Sequence, residues 1–473
     1  MLTVKEAAAR IAVSESRIRQ LIGQGRLNAV KQNGSWLVPD YLVDEYAESA
    51  KVGRPSRGER ESRSSGSIEQ YTLMSGNHEV ALVLYTPQDV RFSRMEVLDE
   101  ERLPLALLSY KAQGNRVTEL NQWWGHRAIP RDRPDIEFRF LELQVFDTFS
   151  IPFVNYGLSM SDQYWLRPAG SNLQWEALNY YRNHYDLGDI DSKESMSEWT
   201  TAVGLNSPDN TTDGMLSKRW IVDESGKKVL IKGSSRGGRE AINEYIATKL
   251  YRRLLGNAEY VDYRLGQWHH KTVSVCESFL HEDEEFIPAW YVFNLRKKPN
   301  NWSEYRLYTE LCWDLGVRDA VGYLDRMLVC DSILANTDRH WRNFGIIRNI
   351  DNLKMRPAPI FDSGSCLWNE KAGRDFSFGT YAFTTKPFYK DPQRQLELVC
   401  DGRWYHPEAL DGFIDEVREI MDNAHIDEET VAGVCRGLQQ RIDVVNAWWK
   451  ATPTYGLTGE WAEPVEMVEW IWL

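Results

Sequence analysis

The stretch of this 473-residue chain that most constrains its fold runs from Asp331 to Leu367. Asp338 and Asn343 stand five positions apart in the run Asn336-Thr-Asp-Arg-His-Trp-Arg-Asn343. A strand-like segment, Phe344–Ile347, comes next, then a turn at Asn349–Asn352, then a second strand-like segment at Pro359–Phe361. A hairpin of this kind has to carry Asp362, with Gly364 just behind it, back beside Asn343. Aspartates often cap helices or open turns, and that would account for any one of these residues alone. It does not account for four matching residue types in one six-residue run followed by an Asp-x-Gly after a hairpin.

The set has a chemical logic. Phosphoryl transfer spreads charge over the γ-phosphate oxygens, so Mg²⁺ must be held against them by hard oxygen donors. Asn343 and Asp362 offer an amide carbonyl and a carboxylate. Asp338 is a separate carboxylate, placed to orient or deprotonate an attacking hydroxyl. Asn336 and His340 are the supporting groups; His340 either acts on the γ-phosphate or hydrogen-bonds within the loop. An ATP- and Mg²⁺-dependent transfer is the expectation.

The flanking pattern changes at Leu216. Lys218–Val222 and Lys228–Lys232 alternate as strands around Ser225-Gly226, and a long helix is expected over 239–255. Strands near 260–265 and 272–279 precede a mainly helical stretch to 335, and 405–449 is helical again. Strands, one helix, strands and then helices is the order of a two-lobed, protein-kinase-like fold.

NTDRHWRNFG followed by APIFDSG resembles the HipA-like serine/threonine kinases, and the D-R-H-x-x-N core is similar to the phosphatidylinositol 3/4-kinase catalytic loop. The resemblance covers about 210–370 and, more loosely, 68–200. It implies that Asp338 is the base, that Asn343 and Asp362 bind Mg²⁺, and that Lys232 of VLIKG contacts ATP. VCESF at 275–279 matches the family's hinge phrase, which implies adenine recognition by backbone at Glu277 and Phe279. Lys218, four after Gly214, matches the phosphate-side loop. Glu244 either pairs with Lys232, as in kinases generally, or is an exposed helix glutamate. No G-x-G-x-x-G precedes Lys232; GSSRGG follows it, at 233–238. The family's regulatory serine falls on Thr211, a departure that puts the family's inactivation by autophosphorylation in question for this chain; the polar stretch SPDNTTDG makes Thr211 or Thr212 the candidate phosphosite.

Residues 1–48 form a separate unit. Thr3 and Glu6 have capping-box spacing, with Ala8 and Ile11 as an apolar stripe; a second helix buries Ile18, Leu21 and Ile22. A hairpin at Asn33-Gly34 returns through Trp36 and Val38, and Pro39-Asp40 opens a last helix. Helix, turn, helix, hairpin, helix is the order of a winged helix-turn-helix, and the phrase LTVKEAAARIAVSESRIRQLIGQGRL with W-L-V-P resembles the excisionase or MerR-like family. Arg17, Gln20 and Gln24 share the polar face of the second helix and are the candidate DNA contacts.

The chain is therefore read as multidomain α+β: 1–48 winged helix-turn-helix, 49–67 basic linker, 68–207 accessory or scaffold region, 208–450 catalytic domain, and 451–473 an aromatic tail. The formal net charge of −13 argues against a surface coated by nucleic acid. Residues 1–66, with 11 Lys/Arg against 8 Asp/Glu, run against that trend. Six dispersed cysteines without a CxxC pair read as reduced thiols. No apolar run is long enough to span a bilayer, so a cytoplasmic protein without membrane contact is expected. Its expected partners are DNA and a protein with a Ser/Thr acceptor; a homodimer is left open. HipA-like kinases imply a toxin or regulatory role. The rival readings are a nucleotide-sensing transcription regulator without transfer activity and a small-molecule or lipid phosphotransferase.

Overall fold

The computed structural model describes residues 2–10, 18–19, 22, 29–32, 35–39 and 43, and from residue 68 onward 68–183, 208–211, 218–222 and 227–451, apart from 113, 132–135, 137–139, 141–142, 144, 235–237, 269 and 377–380. The chain divides into two units, Met1–Ile68 and Glu69–Leu473.

In the first unit β1 (Leu2–Thr3) leads into α1 (Val4–Arg10), and β2 (Val30–Gln32) pairs antiparallel with β3 (Ser35–Val38), Gln32 opposite Ser35. The capping box forms: Thr3 Oγ1 accepts the Glu6 N–H at 3.2 Å, and the Glu6 carboxylate accepts the Thr3 N–H at 2.8 Å. Val4, Ala7, Ala8, Ile18, Val38 and Val43 share one small core. No sequence pattern marks β1, which adds to the sheet through Leu2 opposite Val38. Arg17, Gln20, Gln24 and Ile11 lie outside the described residues.

The second unit opens with a four-stranded antiparallel sheet in the order β6-β5-β4-β7, built from β4 (Glu69–Ser75), β5 (His78–Thr86), β6 (Arg91–Val97) and β7 (Tyr164–Pro168). Helix α2 (Arg116–Arg127) buries Leu120, Trp123 and Trp124 in its core. The expected strand at 80–85 is one of these four.

A second antiparallel sheet has the order β10-β11-β9-β8. It contains β8 (Lys218–Val222), β9 (Lys228–Lys232), β10 (Arg264–Trp268) and β11 (Lys271–Glu277). Helix α3 (Arg239–Leu254) follows β9 and packs across β10 and β11. Gly238, with a φ of 92°, stands at its N-cap, and the Ser234 hydroxyl accepts the first-turn Glu240 N–H at 3.1 Å, so the described part of the glycine-rich 233–238 stretch serves as a helix start.

β12 (Glu284–Pro288) and α4 (Ala289–Phe293) lead to the helices α5 (Glu304–Asp314) and α6 (Ala320–Leu334), then β13 (Gly345–Asn349) and β14 (Met355–Pro357). The returning strand of the hairpin is thus Met355–Pro357, with Ile347 opposite Arg356. Pro359 has no N–H to give a ladder. Ile360 instead bridges Tyr260 in parallel, donating to Glu259 O at 2.8 Å. Helices α7 (Phe413–Asn423) and α8 (Glu428–Ala451) close the helical core.

Arg348 on β13 ties the accessory sheet to this lobe. It is buried, pairs with Glu285, and donates to Leu103 O at 2.9 Å and to Tyr164 Oη at 2.6 Å. All six cysteines are free thiols. Among the described residues no helix is long and apolar enough to cross a membrane.

Candidate active site

The loop that follows α6 places Asp338 and Asn343, and a frame of hydrogen bonds sets its shape. Asn336 Nδ2 donates to Asp331 Oδ1 at 2.8 Å, and the Asp338 N–H donates to Asn336 Oδ1 at 3.0 Å. Arg339 is fully buried. Its Nε and Nη2 grip the two oxygens of Asp331 at 2.8 and 3.0 Å. Its Nη1 donates to Asn343 O at 2.8 Å and also to Phe361 O, and its Nη2 reaches Ser363 Oγ at 3.0 Å. One guanidinium therefore ties the backbone at Asn343 to the Phe361 carbonyl and the Ser363 hydroxyl, the residues on either side of Asp362. The approach demanded by the sequence is made through this arginine.

Asn343 Nδ2 donates to Asp338 O at 2.9 Å, which leaves the amide oxygen as its free acceptor. Asp362 has a positive φ of 57°, a conformation aspartate tolerates better than most side chains. Gly364 is needed for close packing on α3: a Cβ there would stand 3.1 Å from Glu240 O. The buried Asn243 clamps the same turn, donating to Gly364 O at 3.0 Å and Cys366 O at 2.8 Å.

Lys232, at the end of β9, is 3% exposed and sits between two carboxylates. It pairs with Glu244 of α3 and with Asp362 Oδ1, the latter at 2.6 Å. Glu244 is 2% exposed and also accepts from the Ser274 hydroxyl, so of its two readings the ion pair holds and the exposed glutamate does not. Tyr263 completes the cluster, its ring 5.3 Å from Lys232 Nζ.

Burial works against the Lys232 charge, but Asp362 and Glu244 hold its pKa well above the usual ammonium value. Burial alone would lift Asp362; contact with Lys232, aided by the charge of Lys218, holds it far below the carboxylate range. Burial raises Glu244 despite Lys232. Lys218 stands opposite Lys232 in the β8–β9 register.

His340 Nδ1 accepts the Arg342 N–H at 3.2 Å, and Nε2 is 4.0 Å from Asp338 Oδ2, an arrangement internal to the loop. Glu277 ends β11 with its carboxylate turned outward to Lys227 at 2.7 Å. Phe279 stacks on Phe361 at 5.6 Å, next to Asp362. Thr211 is buried, and its hydroxyl donates to Leu158 O at 2.6 Å, so it is closed to modification while the segment keeps this seat. Thr212 and Gly214 lie outside the described residues.

Two further features had no sequence signal. Lys386 Nζ lies 2.8 Å from Asp338 Oδ1, across 48 residues of chain. A cavity of about 480 Å³ also adjoins the loop, with Trp123, His126, Trp290, Tyr291, His340 and Arg342 among its lining residues. Among the described residues no three of His, Cys, Asp and Glu group as a metal site, so a cation here would take its protein donors from the Asn343–Asp362 pair.

Residues 1–51 match a family model described as a helix-turn-helix domain. A stretch of 42 residues is 48% identical to the serine/threonine-protein kinase CtkA of Helicobacter pylori; it spans 9% of this chain and 13% of that relative's length. In three dimensions the chain is similar to the H. pylori proinflammatory kinase CtkA at 18% identity and a TM-score of 0.39, covering 49% of this chain and 94% of that one. It is also similar to a chain of the HipA, HipB and operator DNA complex, a toxin–antitoxin system of Shewanella oneidensis MR-1. That match has 12% identity and a TM-score of 0.49, covering 81% of this chain and 100% of the other.

Proposed function

We propose that this chain is an ATP- and Mg²⁺-dependent serine/threonine protein kinase carrying a DNA-reading module at its N-terminus. The observation that carries the proposal is the Arg339 bridge, whose Nη1 donates both to Asn343 O and to Phe361 O beside Asp362, while Lys232 contacts Asp362.

The donor set fits the metal. Asn343 has an uncommitted amide oxygen, and Asp362 has one oxygen on Lys232 and a second left over. When bound there, Mg²⁺ would neutralise phosphate charge and orient the β- and γ-phosphates. The chain's own residues do the rest. Lys232, kept charged by its two carboxylates, binds nucleotide phosphate. The backbone around Glu277 and Phe279 offers a carbonyl and an amide to adenine. Asp338, partly exposed and 4.0 Å from His340 of the cavity wall, orients the acceptor hydroxyl and takes its proton. The accessory region, with Trp123 and His126 in the cavity wall, forms the acceptor's side of the site.

The toxin or regulatory role, action on a Ser/Thr protein acceptor, and DNA contact through residues 1–48 belong to the same reading. The test is incubation of wild type and Asp338→Asn with γ-labelled ATP in a cell extract, with nucleotide binding measured in parallel. The variant should bind nucleotide and transfer nothing. Labelling at the wild-type rate would remove Asp338 from the base role. Binding without transfer in the wild type would favour a nucleotide-sensing regulator.

A further inference from the structure

We propose that Lys386 is the cation that receives the terminal phosphate of the nucleotide on the Asp338 side, an assignment that rests on the kinase reading above. The ion pair with Asp338 Oδ1 is the starting observation. Both partners are substantially exposed, 50% for Lys386 and 38% for Asp338. A pair so exposed contributes little to stability.

The segment that presents Lys386 is nonetheless firmly built. Thr385 Oγ1 donates to Tyr389 O at 2.8 Å, and the Thr385 N–H donates to Lys390 O at 3.0 Å. Gln395 accepts the Tyr389 N–H at 2.9 Å and donates to Lys386 O. Both Thr385 and Gln395 are buried. Phe388 packs edge-on against Trp341 of the catalytic loop at 5.4 Å and against Tyr305 at 5.2 Å. The backbone therefore delivers Lys386 to the catalytic loop by ring packing and hydrogen bonds that do not involve its charge.

The chemistry at that position follows from the transfer geometry. An acceptor oxygen activated by Asp338 lies roughly 3 Å from the carboxylate and a similar distance from the γ-phosphorus. A flexible ammonium already touching Asp338 is then within reach of the γ-phosphate oxygens. It has three donors, of which the carboxylate occupies one. In the step itself the acceptor oxygen bonds to the γ-phosphorus and the bond from phosphorus to the β–γ bridging oxygen breaks. The electron pair leaves with ADP, and the hydroxyl proton passes to Asp338. Lys386 gives and takes no proton; it offsets charge on the transferred group. Its move from carboxylate to phosphate also frees Asp338 to act.

The test uses the intact chain and its Lys386→Met and Lys386→Arg variants, titrated calorimetrically with Mg-ATP and with Mg-ADP. A single charge-assisted hydrogen bond predicts that Lys386→Met loses on the order of tenfold in ATP affinity while ADP binds as before. Lys386→Arg should keep most of the preference for ATP. A Lys386 that only steadied Asp338 would slow turnover and leave both affinities in place. Equal binding of ATP and ADP by the wild type, or a ratio unmoved in Lys386→Met, overturns the assignment. If the wild type binds neither nucleotide, the kinase reading falls and this one with it. Thermal melting of both variants checks the fold, which a half-exposed side chain should not disturb.

Discussion

Replacing Lys232 with methionine tests how the centre of the site is held together. In the folded protein Lys232 is the cation between Glu244 and Asp362, and both Lys232 and Glu244 are almost wholly buried. The substitution keeps the volume and removes the charge, which leaves a buried carboxylate without its counter-ion. Breaking a buried pair from one side costs about 3–5 kcal/mol. At roughly 2 cal/mol/K of unfolding entropy per residue, a unit of about 400 residues should then melt about 4–6 °C lower.

The loss should depend on pH with a definite sign. Burial already raises the Glu244 pKa in the intact cluster, and removing Lys232 raises it further. An acid whose folded pKa exceeds its unfolded value contributes stability below the unfolded value and loses it as pH rises through the folded one. Lys232→Met should therefore be closer to wild type near pH 5 than near pH 8. Lys232→Met/Glu244→Met should recover much of the stability, because an apolar pair can replace a buried ionic one, and it should still fail to bind nucleotide. Differential scanning calorimetry at the two pH values is the assay. A melting temperature within a degree of wild type at both would refute the claim that these groups are electrostatically coupled.

Two other predictions are independent of the cluster. Burial lifts the Asp325 carboxyl to about 7, against the backbone N–H groups of Cys400 and Asp401 that donate to it, so its contribution to stability is present below the ordinary aspartate range and is lost as pH rises through about 7. That contribution is on the order of 4 kcal/mol at most, and Asp325→Asn should flatten the fall of melting temperature with pH between about pH 4.5 and 7; an unchanged slope would point to other groups. In the N-terminal module, Arg17→Ala with Gln20→Ala should weaken retention on DNA and leave phosphotransfer intact, and equal retention would remove the second helix from the reading role.

Local signals in the sequence read well. Alternation marked Lys218–Val222 and Lys228–Lys232 as strands, and the Thr3–Glu6 spacing gave a capping box whose two bonds are present. What the sequence hid depended on remote partners. β12 begins Glu284-Glu285, which looks like solvated charge until Arg348, 63 positions away, is found buried against Glu285. Glu244 could not be resolved from helix periodicity because the strand lysine opposite it sets its environment. Pro359–Phe361 looked like a strand from its apolar side chains, but the missing N–H of Pro359 sent the pairing to Tyr260 instead. Asn243 and Lys386 carry no pattern of their own; each acquires a role only when the fold brings a distant backbone or carboxylate to it.

Arg339, Lys232 and Lys386 differ in how many donors they have left, and that difference separates frame from ligand contact. Arg339 has five N–H donors and spends them on Asp331, Asn343 O, Phe361 O and Ser363, with no exposure. It can hold the loops in place before any ligand arrives, which is what a preorganised site needs. A lysine there could reach some of these acceptors but could not bridge both loops with a planar fork. Lys232 spends donors on two carboxylates and Lys386 on one, so each keeps capacity for phosphate oxygens. Arginine therefore suits the rigid position and lysine the two positions where a donor must be handed to a ligand.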